Sequence, residues 1–501
     1  MEHGRNVPHQ ATLDYLDVPR SRPPGKAPSA RRAPVVAPTK PRWPIAAVVV
    51  ALLAGAAGLW WVRRPPTFVL PPPSHDLNVV LVTIDTLRGD MLSSYGGPVP
   101  TPNLDALAAH GARFTFAHAH AVVTLVSHTS ILTGELPYEH GIRDNSGFRV
   151  APGTQTLATR LKAAGFATGA FIGGYPLTKR FGLTPGFDRY DDQLPEEHGL
   201  VTLSLPERRA EIVVGRAVEW IGSQTGRFFA WVHLFDPHSP YVPPPEYLAR
   251  FPDKPYYGEI AYADHELGAL FAKLATLARP TLVIVTADHG ESLGEHGELT
   301  HGMFAYEATL HVPLIMAMTG PGSGGSAGVV IDAPVTHIDL VPTVLEATGL
   351  PSDGTLKGSS LRDVIRTDRR PDRPSYFEAM TFNLTRGWAP LRGVIAGRRK
   401  FIDLPIPELY DLLPDPTEQT NLAPSEADQI PAYHADLVKF NVAAPNPPAV
   451  ETPEVMARLA SLGYGSGRAS ARSTYGEADD PKTLMKVDQA VHSAQDLYAQ
   501  G

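Results

Sequence analysis

Cysteine is missing from all 501 residues. Its absence excludes disulfides, thiolate zinc sites and a cysteine nucleophile. It does not decide the compartment, because a body of this length builds a core large enough to do without disulfides. Long apolar runs are also scarce, and there is only one of them. Strong positive charge is missing too. The first 43 residues hold eight Lys/Arg against three Asp/Glu, and the chain as a whole carries −8, so the remainder sits near −13. A body that acidic is a poor partner for a phosphate backbone, which argues against nucleic acid as a ligand.

The one apolar run is PIAAVVVALLAGAAGLWWV, residues 44–62, nineteen residues without a charge. As a helix it would span roughly 28 Å, close to the hydrocarbon thickness of a bilayer. Trp60 and Trp61 lie at one end, where amphipathic rings favour the interface. The Lys/Arg excess before the run puts residues 1–43 in the cytoplasm as a disordered basic tail. Residues 65–501 are then periplasmic or otherwise extracytoplasmic, on a single-pass membrane protein. A cleaved signal peptide is the rival reading, since AGAAG offers small residues at the right place.

Past the run, RRPPTFVLPPPSHD (63–76) reads as a stiff proline-rich stalk. NVVLVTI (78–84), ATGAFIGG (167–174), FFAWVHLF (228–235) and TLVIVTA (281–287) are continuous apolar runs of the kind buried parallel strands show. Helical spacing fills the intervals at 156–165, 207–222 and 260–275. Strands alternating with helices predict an α/β fold, a central mostly parallel sheet sandwiched by helices. The catalytic body is expected over 77–440, with a smaller C-terminal α+β subdomain at 375–425. Residues 441–480 read as a linker with a short helix. Residues 481–501 read as an amphipathic helix with Val487, Ala490, Val491, Ala494 and Tyr498 on one face. That face makes the helix a candidate contact for a protein partner. It also resembles half of a tetratricopeptide repeat.

Ligand groups in open parallel sheets collect past the C-terminal ends of the strands. Asp85 follows the first strand, Asp288 and His289 follow TLVIVTA, and Asp236 and His238 follow FFAWVHLF. One Asp after a strand is most often a turn or cap residue; three strands ending this way point to a site. Asp85, Asp288 and His289 offer hard oxygens and one imidazole, a set suited to a single divalent ion, with Mn²⁺, Mg²⁺, Zn²⁺ and Ca²⁺ all open. A second ion on Asp236, His238 and His301 is the less favoured alternative. VVTLVSHTSILTG (122–134) adds four hydroxyls, Thr124, Ser127, Thr129 and Ser130, ahead of its closing Thr-Gly, and a threonine alcohol next to a divalent ion can become a nucleophile. Each histidine also has an ordinary reading: His238 as part of a proline-rich turn, His301 as a loop residue, His296 as structural, His233 as a buried strand residue.

LVTIDTLRGD, TSILTGELPYEHGIRDN, DPHSPY, TADHGESLGEHG and ELYDLLPDPTEQTNL, in this order, resemble the motifs of the sulfatase branch of the alkaline phosphatase superfamily. The likeness covers about residues 76–425. It implies an α/β sandwich with a C-terminal subdomain, and metal-dependent hydrolysis of sulfate, phosphate or phosphonate esters. Counting back from Leu132-Thr133-Gly134, the nucleophile position is Thr124. The family's formylglycine arises from Cys or Ser followed by Pro/Ala and Arg. Here Val126 and His128 stand in those places, so that modification is excluded. The pattern is closer to relatives that use an unmodified threonine, and Thr86, where many sulfatases have a second metal-binding Asp, agrees.

The resemblance thus implies a metal held by Asp85, Thr124, Asp288 and His289. It implies His301 on the substrate oxygens, His238 at the leaving group, His128 beside the nucleophile, and Asn145 as a substrate contact. The expected substrate is a small-molecule, glycan or lipid ester. Two alternatives stay open: an envelope transferase that moves a phospho-headgroup through the same threonine, and a non-catalytic glycan- or lipid-binding protein.

Overall fold

The computed structural model describes residue 33, residues 47–54, 67–195 and 207–443 except 324, 353 and 372, and, further on, 449, 451–452, 455–456, 469–470 and 472–500. Of the expected membrane helix only 47–54 lies within them; it is helical and exposed, and the rest falls outside the described residues. Among the described residues no helix is long and apolar enough to cross a membrane. The body is one compact unit from Pro65 onward.

Its centre is a nine-stranded sheet in the order β4-β3-β5-β1-β6-β7-β2-β8, with β9 beside β2. The strands are β1 (Asn78–Ile84), β2 (Ala112–His118), β3 (Ala167–Ile172), β4 (Arg189–Asp191), β5 (Phe228–Leu234), β6 (Thr281–Ala287), β7 (His311–Thr319), β8 (Val329–Ile331) and β9 (Val335–Thr336). β1, β5 and β6 are buried along their whole length, which is why they read as unbroken apolar runs. The sheet is mixed: β7 runs antiparallel to both β6 and β2. Register positions the chemistry. Ile84 pairs with Leu234 on one side and with Ala287 on the other, so Asp85, Asp236 and Asp288 all leave the same edge of the sheet.

Five helices matter here: α1 (Thr124–Thr133), α2 (Ala210–Ser223), α3 (Pro255–Ala275), α4 (Leu340–Ala347) and α5 (Pro481–Gln500). α2 packs on α3 and on β3 and β5, and α1 packs on α4. Gly134, at φ 76°, closes α1 with its N–H on the Ser130 carbonyl. That left-handed end is inexpensive only for glycine.

The C-terminal subdomain is a four-stranded antiparallel sheet, β10 (Ser375–Ala379), β11 (Leu391–Ala396), β12 (Arg399–Asp403) and β13 (Glu408–Asp411). A short helix, Ile430–Val438, lies beyond the expected limit at 425 and contributes Leu437 to its core.

Two segments differ from their sequence reading. The stalk docks from Thr67 onward: Phe68 and Leu70 are buried, and the Phe68 N–H reaches the Ala327 carbonyl at 2.8 Å. Two apolar side chains outweigh the extended, self-sufficient character of the prolines around them. In α5, Val487 and Ala490 face solvent, while Leu484 and Met485 pack on the body and Asp488 pairs with Arg386 at 2.6 Å. The side chains from residue 491 onward lie outside the described set.

Candidate active site

The strand-end carboxylates meet because β1 and β6 are neighbours in register. One ligand atom each from Asp85, Asp288 and His289 lie within 4.8 Å of one another, all fully buried. This is the only such group of three or more among the described residues. Asp288 Oδ1 is fixed by the backbone N–H groups of His289 (2.8 Å) and Thr86 (3.3 Å), which leaves Oδ2 facing inward. The Nδ1–H of His289 donates to the Gly290 carbonyl at 2.9 Å, so its Nε2 keeps a bare lone pair. Both Asp85 oxygens, Asp288 Oδ2 and His289 Nε2 are buried without a hydrogen-bond partner. Unsatisfied buried polar atoms are costly. Four of them converging on one point form a cradle for a divalent cation, and the oxygen-rich donor set fits such an ion.

The electrostatics agree. Burial, then the neighbouring charges of Asp288 and Glu291, push the Asp85 carboxyl well above its usual range. Burial raises Asp288 as well and lowers His289 to about 3. With no positive charge at the centre, the pair resists ionisation.

The hydroxyl-rich run resolves residue by residue. Ser127 donates to the Asp288 carbonyl at 2.6 Å. Thr129 donates to the Leu125 carbonyl and Thr133 to the Thr129 carbonyl, each at 2.6 Å. Ser130 pairs with His140 at 3.1 Å. Thr124 alone makes no well-formed hydrogen bond, yet it lies near enough to Asp85 to favour that group's charged form. It is the first residue of α1, where backbone N–H groups and the helix dipole favour negative charge.

The remaining histidines are placed as follows. His238 donates from Nδ1 to the Ser239 carbonyl at 2.6 Å, stacks on Phe235 at 4.3 Å, and has a partnerless Nε2. His301 stands between it and the acid pair, its ring 5.1 Å from His238 and 4.5 Å from His289. Glu291, fully buried, takes His301 Nδ1 at 2.9 Å. His128 bonds the Thr124 carbonyl at 2.8 Å, not its hydroxyl, because one helical turn puts its ring under that carbonyl. Its Nε2 meets Thr83 at 3.0 Å, and Nδ1 lies 3.4 Å from Asp288. Asn145 accepts the Leu125 N–H at 2.7 Å and so caps α1, leaving its buried amide nitrogen without a partner. Asp236 turns away to cap α2 through the Ala210 N–H at 3.0 Å, so it does not join His238 and His301 as a second metal set. His296 stacks on Tyr306 and bonds the Thr417 carbonyl, a structural place.

Sequence reasoning passed over Glu291, whose position inside TADHGES was its only signal. It read His233 as a buried strand residue, and it is one. Its Nδ1 is 3.3 Å from Thr83, but its Nε2 also lies 3.7 Å from Asp85. Thr86 holds a left-handed φ of 53°. Three contacts keep it there, with Asp288, the Pro237 carbonyl and the Tyr256 hydroxyl. Such strain in a β-branched residue is typical of functional sites.

The sequence profile described as Sulfatase matches residues 77–350. The chain belongs to the sulfatase family. A profile described as N-sulphoglucosamine sulphohydrolase, C-terminal, matches residues 294–438. The chain is 24% identical to an arylsulfatase of Clostridium perfringens over 443 residues, 70% of this chain and 90% of that one. Its fold is similar to a solved phosphonate monoester hydrolase of Agrobacterium radiobacter, with TM-score 0.59, 22% identity, and 79% of this chain and 100% of that one covered. It is also similar to a protein solved with its substrate D-glucosamine-2-N,6-O-disulfate, with TM-score 0.62, 20% identity and coverage of 75% and 99%. As a family member the protein is a hydrolase acting on ester bonds.

Proposed function

We propose that this protein hydrolyses sulfate, phosphate or phosphonate esters with Thr124 as an unmodified nucleophile. One observation carries the reading: of the hydroxyls in the first two turns of α1, only that of Thr124 is buried without a well-formed hydrogen bond, and it lies close to Asp85, one of the three residues whose buried atoms are left open. A divalent cation on those three residues would supply Lewis acidity, easing ionisation of an alcohol and neutralising the ester's oxygens. Thr124 Oγ1 loses its proton and forms a bond to sulfur or phosphorus in line with the leaving oxygen, whose bond to that centre breaks as it takes up a proton in place of the one the hydroxyl released. The start of α1, held by Asn145, stabilises the negative charge that develops. His301, oriented by Glu291, contacts the ester's free oxygens. Water then attacks the threonine ester and frees the Oγ1. The bare Nε2 of His238, kept neutral by burial, accepts the water's proton, and a proton returns to the freed Oγ1, which restores the hydroxyl and the neutral ring.

We infer from the charge asymmetry around residues 44–62 that this run tethers the enzyme to a membrane with the body outside the cytoplasm. The experiment for the chemistry is a panel of aryl sulfate, phosphate monoester, phosphate diester and phosphonate ester, with and without chelator. Chelator-sensitive turnover that vanishes in Thr124→Ala while the variant still binds the cation is expected. Full turnover by Thr124→Ala would refute the assignment.

A further inference from the structure

A cavity of about 440 Å³ lies where β2 and β9 of the main sheet meet β10 and β11 of the subdomain. That volume is within the range of small-molecule sites. None of Asp85, Thr124, His238, Asp288, His289 or His301 lines it. Its walls are apolar, from Phe116, Leu136, Val335, Ile338, Ile395 and Phe440.

Two features of the wall call for a ligand. The first is charge. Lys357 and Lys439 have their own partners in Glu139 (2.5 Å) and Asp436 (2.6 Å). Arg370 and Arg373 share a single buried carboxylate, Asp339. Arg370 takes it directly, with Nη2 2.6 Å from Oδ1, and Arg373 stands off at 3.9 Å. Among the described residues, one guanidinium of the pair is left short of a full counter-charge. Partial burial disfavours the Arg373 charge more than Asp339 offsets it, and Arg370 adds repulsion, a condition that an anion relieves.

The second feature is His120, 1% exposed. Its Nδ1–H donates to the Tyr376 carbonyl at 2.6 Å, and burial keeps the ring neutral down to about 4. Nε2 is therefore an acceptor, and it has no partner. A ligand meeting it must donate. Arg373 and His120 both line this cavity, so the two can be reached by one small molecule.

We propose that this cavity binds a flat organic anion bearing a hydroxyl group: the ring between the apolar walls, the carboxylate on Arg373, the hydroxyl donating to His120 Nε2. The site is separate from the catalytic centre and does not depend on the nucleophile assignment.

The test is isothermal titration of the full-length protein with 6-hydroxy-2-naphthoate, 2-naphthoate and 2-naphthol. The hydroxy-acid should bind at one equivalent. It should bind about 10-fold more tightly than 2-naphthoate, the worth of one buried hydrogen bond, and more tightly still than 2-naphthol. Arg373→Gln, at a half-exposed position, should remove the preference for acids over naphthol. His120→Phe should remove the preference for the hydroxyl. Neither should alter ester hydrolysis. Should His120→Phe fail to fold, the 2-naphthoate comparison on the unaltered protein reads the same hydrogen bond. Absence of saturable binding, equal affinity for the two acids, or binding that competes with ester substrate and ignores Arg373→Gln would each overturn the proposal.

Discussion

Two of the buried clusters of charged side chains among the described residues are built in opposite ways. At the sheet edge, Asp85, Asp288 and His289 converge with their inward atoms unpartnered. At the junction with the subdomain, Lys400 is fully buried, yet its Nζ lies 3.1 Å from Glu307 and 2.8 Å from Glu418. His118 closes on Glu307 from the other side at 2.9 Å. The second cluster supplies its own counter-charges and stabilises the contact between β12 and the main body. The first supplies only donors of electron pairs and leaves the positive charge to be brought in. Burial alone does not mark a functional site; burial with valences left open does.

The strongest way to break this contrast is to separate activity from stability. Thr124→Ala should lower turnover on the order of 10⁴-fold or more with no loss of melting temperature, because the hydroxyl it removes makes no bond. A large drop in melting temperature would mean that Thr124 is structural. Lys400→Met should do the reverse. Left with two buried carboxylates, the fold should lose roughly 3–5 kcal/mol in a denaturant titration, while any enzyme still folded keeps its turnover number.

A third comparison uses pH. The Asp288 carboxyl is pushed up to about 6 by burial, so the cation-free folded state holds a proton that the unfolded chain has lost. Stability from this group is therefore full below the ordinary carboxylate value and falls as pH rises from about 4 to about 6. Asp288→Asn cannot show that fall. In chelator, the variant should gain on the unaltered protein by up to about 3 kcal/mol between pH 4 and pH 7. With a divalent cation added, the order should reverse. An unchanged gap across pH, read by thermal melts, would show that the carboxyl is not strained. The smallest effect is expected for Ser127→Ala, which removes the bond to the Asp288 carbonyl. About 1–2 kcal/mol of stability should go, with turnover reduced but measurable.

Much of the site was legible along the chain. Asp85, Asp288 and His289 stand directly after apolar strands, and the position of Thr124 follows from counting back from Leu132-Thr133-Gly134. The central strands were legible for the same reason: full burial on both faces leaves no polar interruption. β2 and β7 were not. Arg113 and Thr115 interrupt β2, and Pro313 sits inside β7, so neither reads as a continuous run. Asp236 shows the opposite error. It has the same address after a strand as Asp85 and Asp288, but the N-terminus of α2 comes within reach of its carboxylate and takes it. Asn145 and His128 were named by position along the chain, while their contacts with the Leu125 N–H and the Thr124 carbonyl depend on how α1 is seated.

The order of residues on its own decided which chemistry was available: no thiol, strand-end carboxylates, and an alcohol at the start of a hydroxyl-rich helix. Folding decided which of those groups stayed open. Four hydroxyls in the helix engage hydrogen-bond partners and one does not; three aspartates leave one sheet edge and one is drawn off to cap a helix. Such outcomes depend on which backbone donors lie within about 3 Å, and only the packed chain sets that distance.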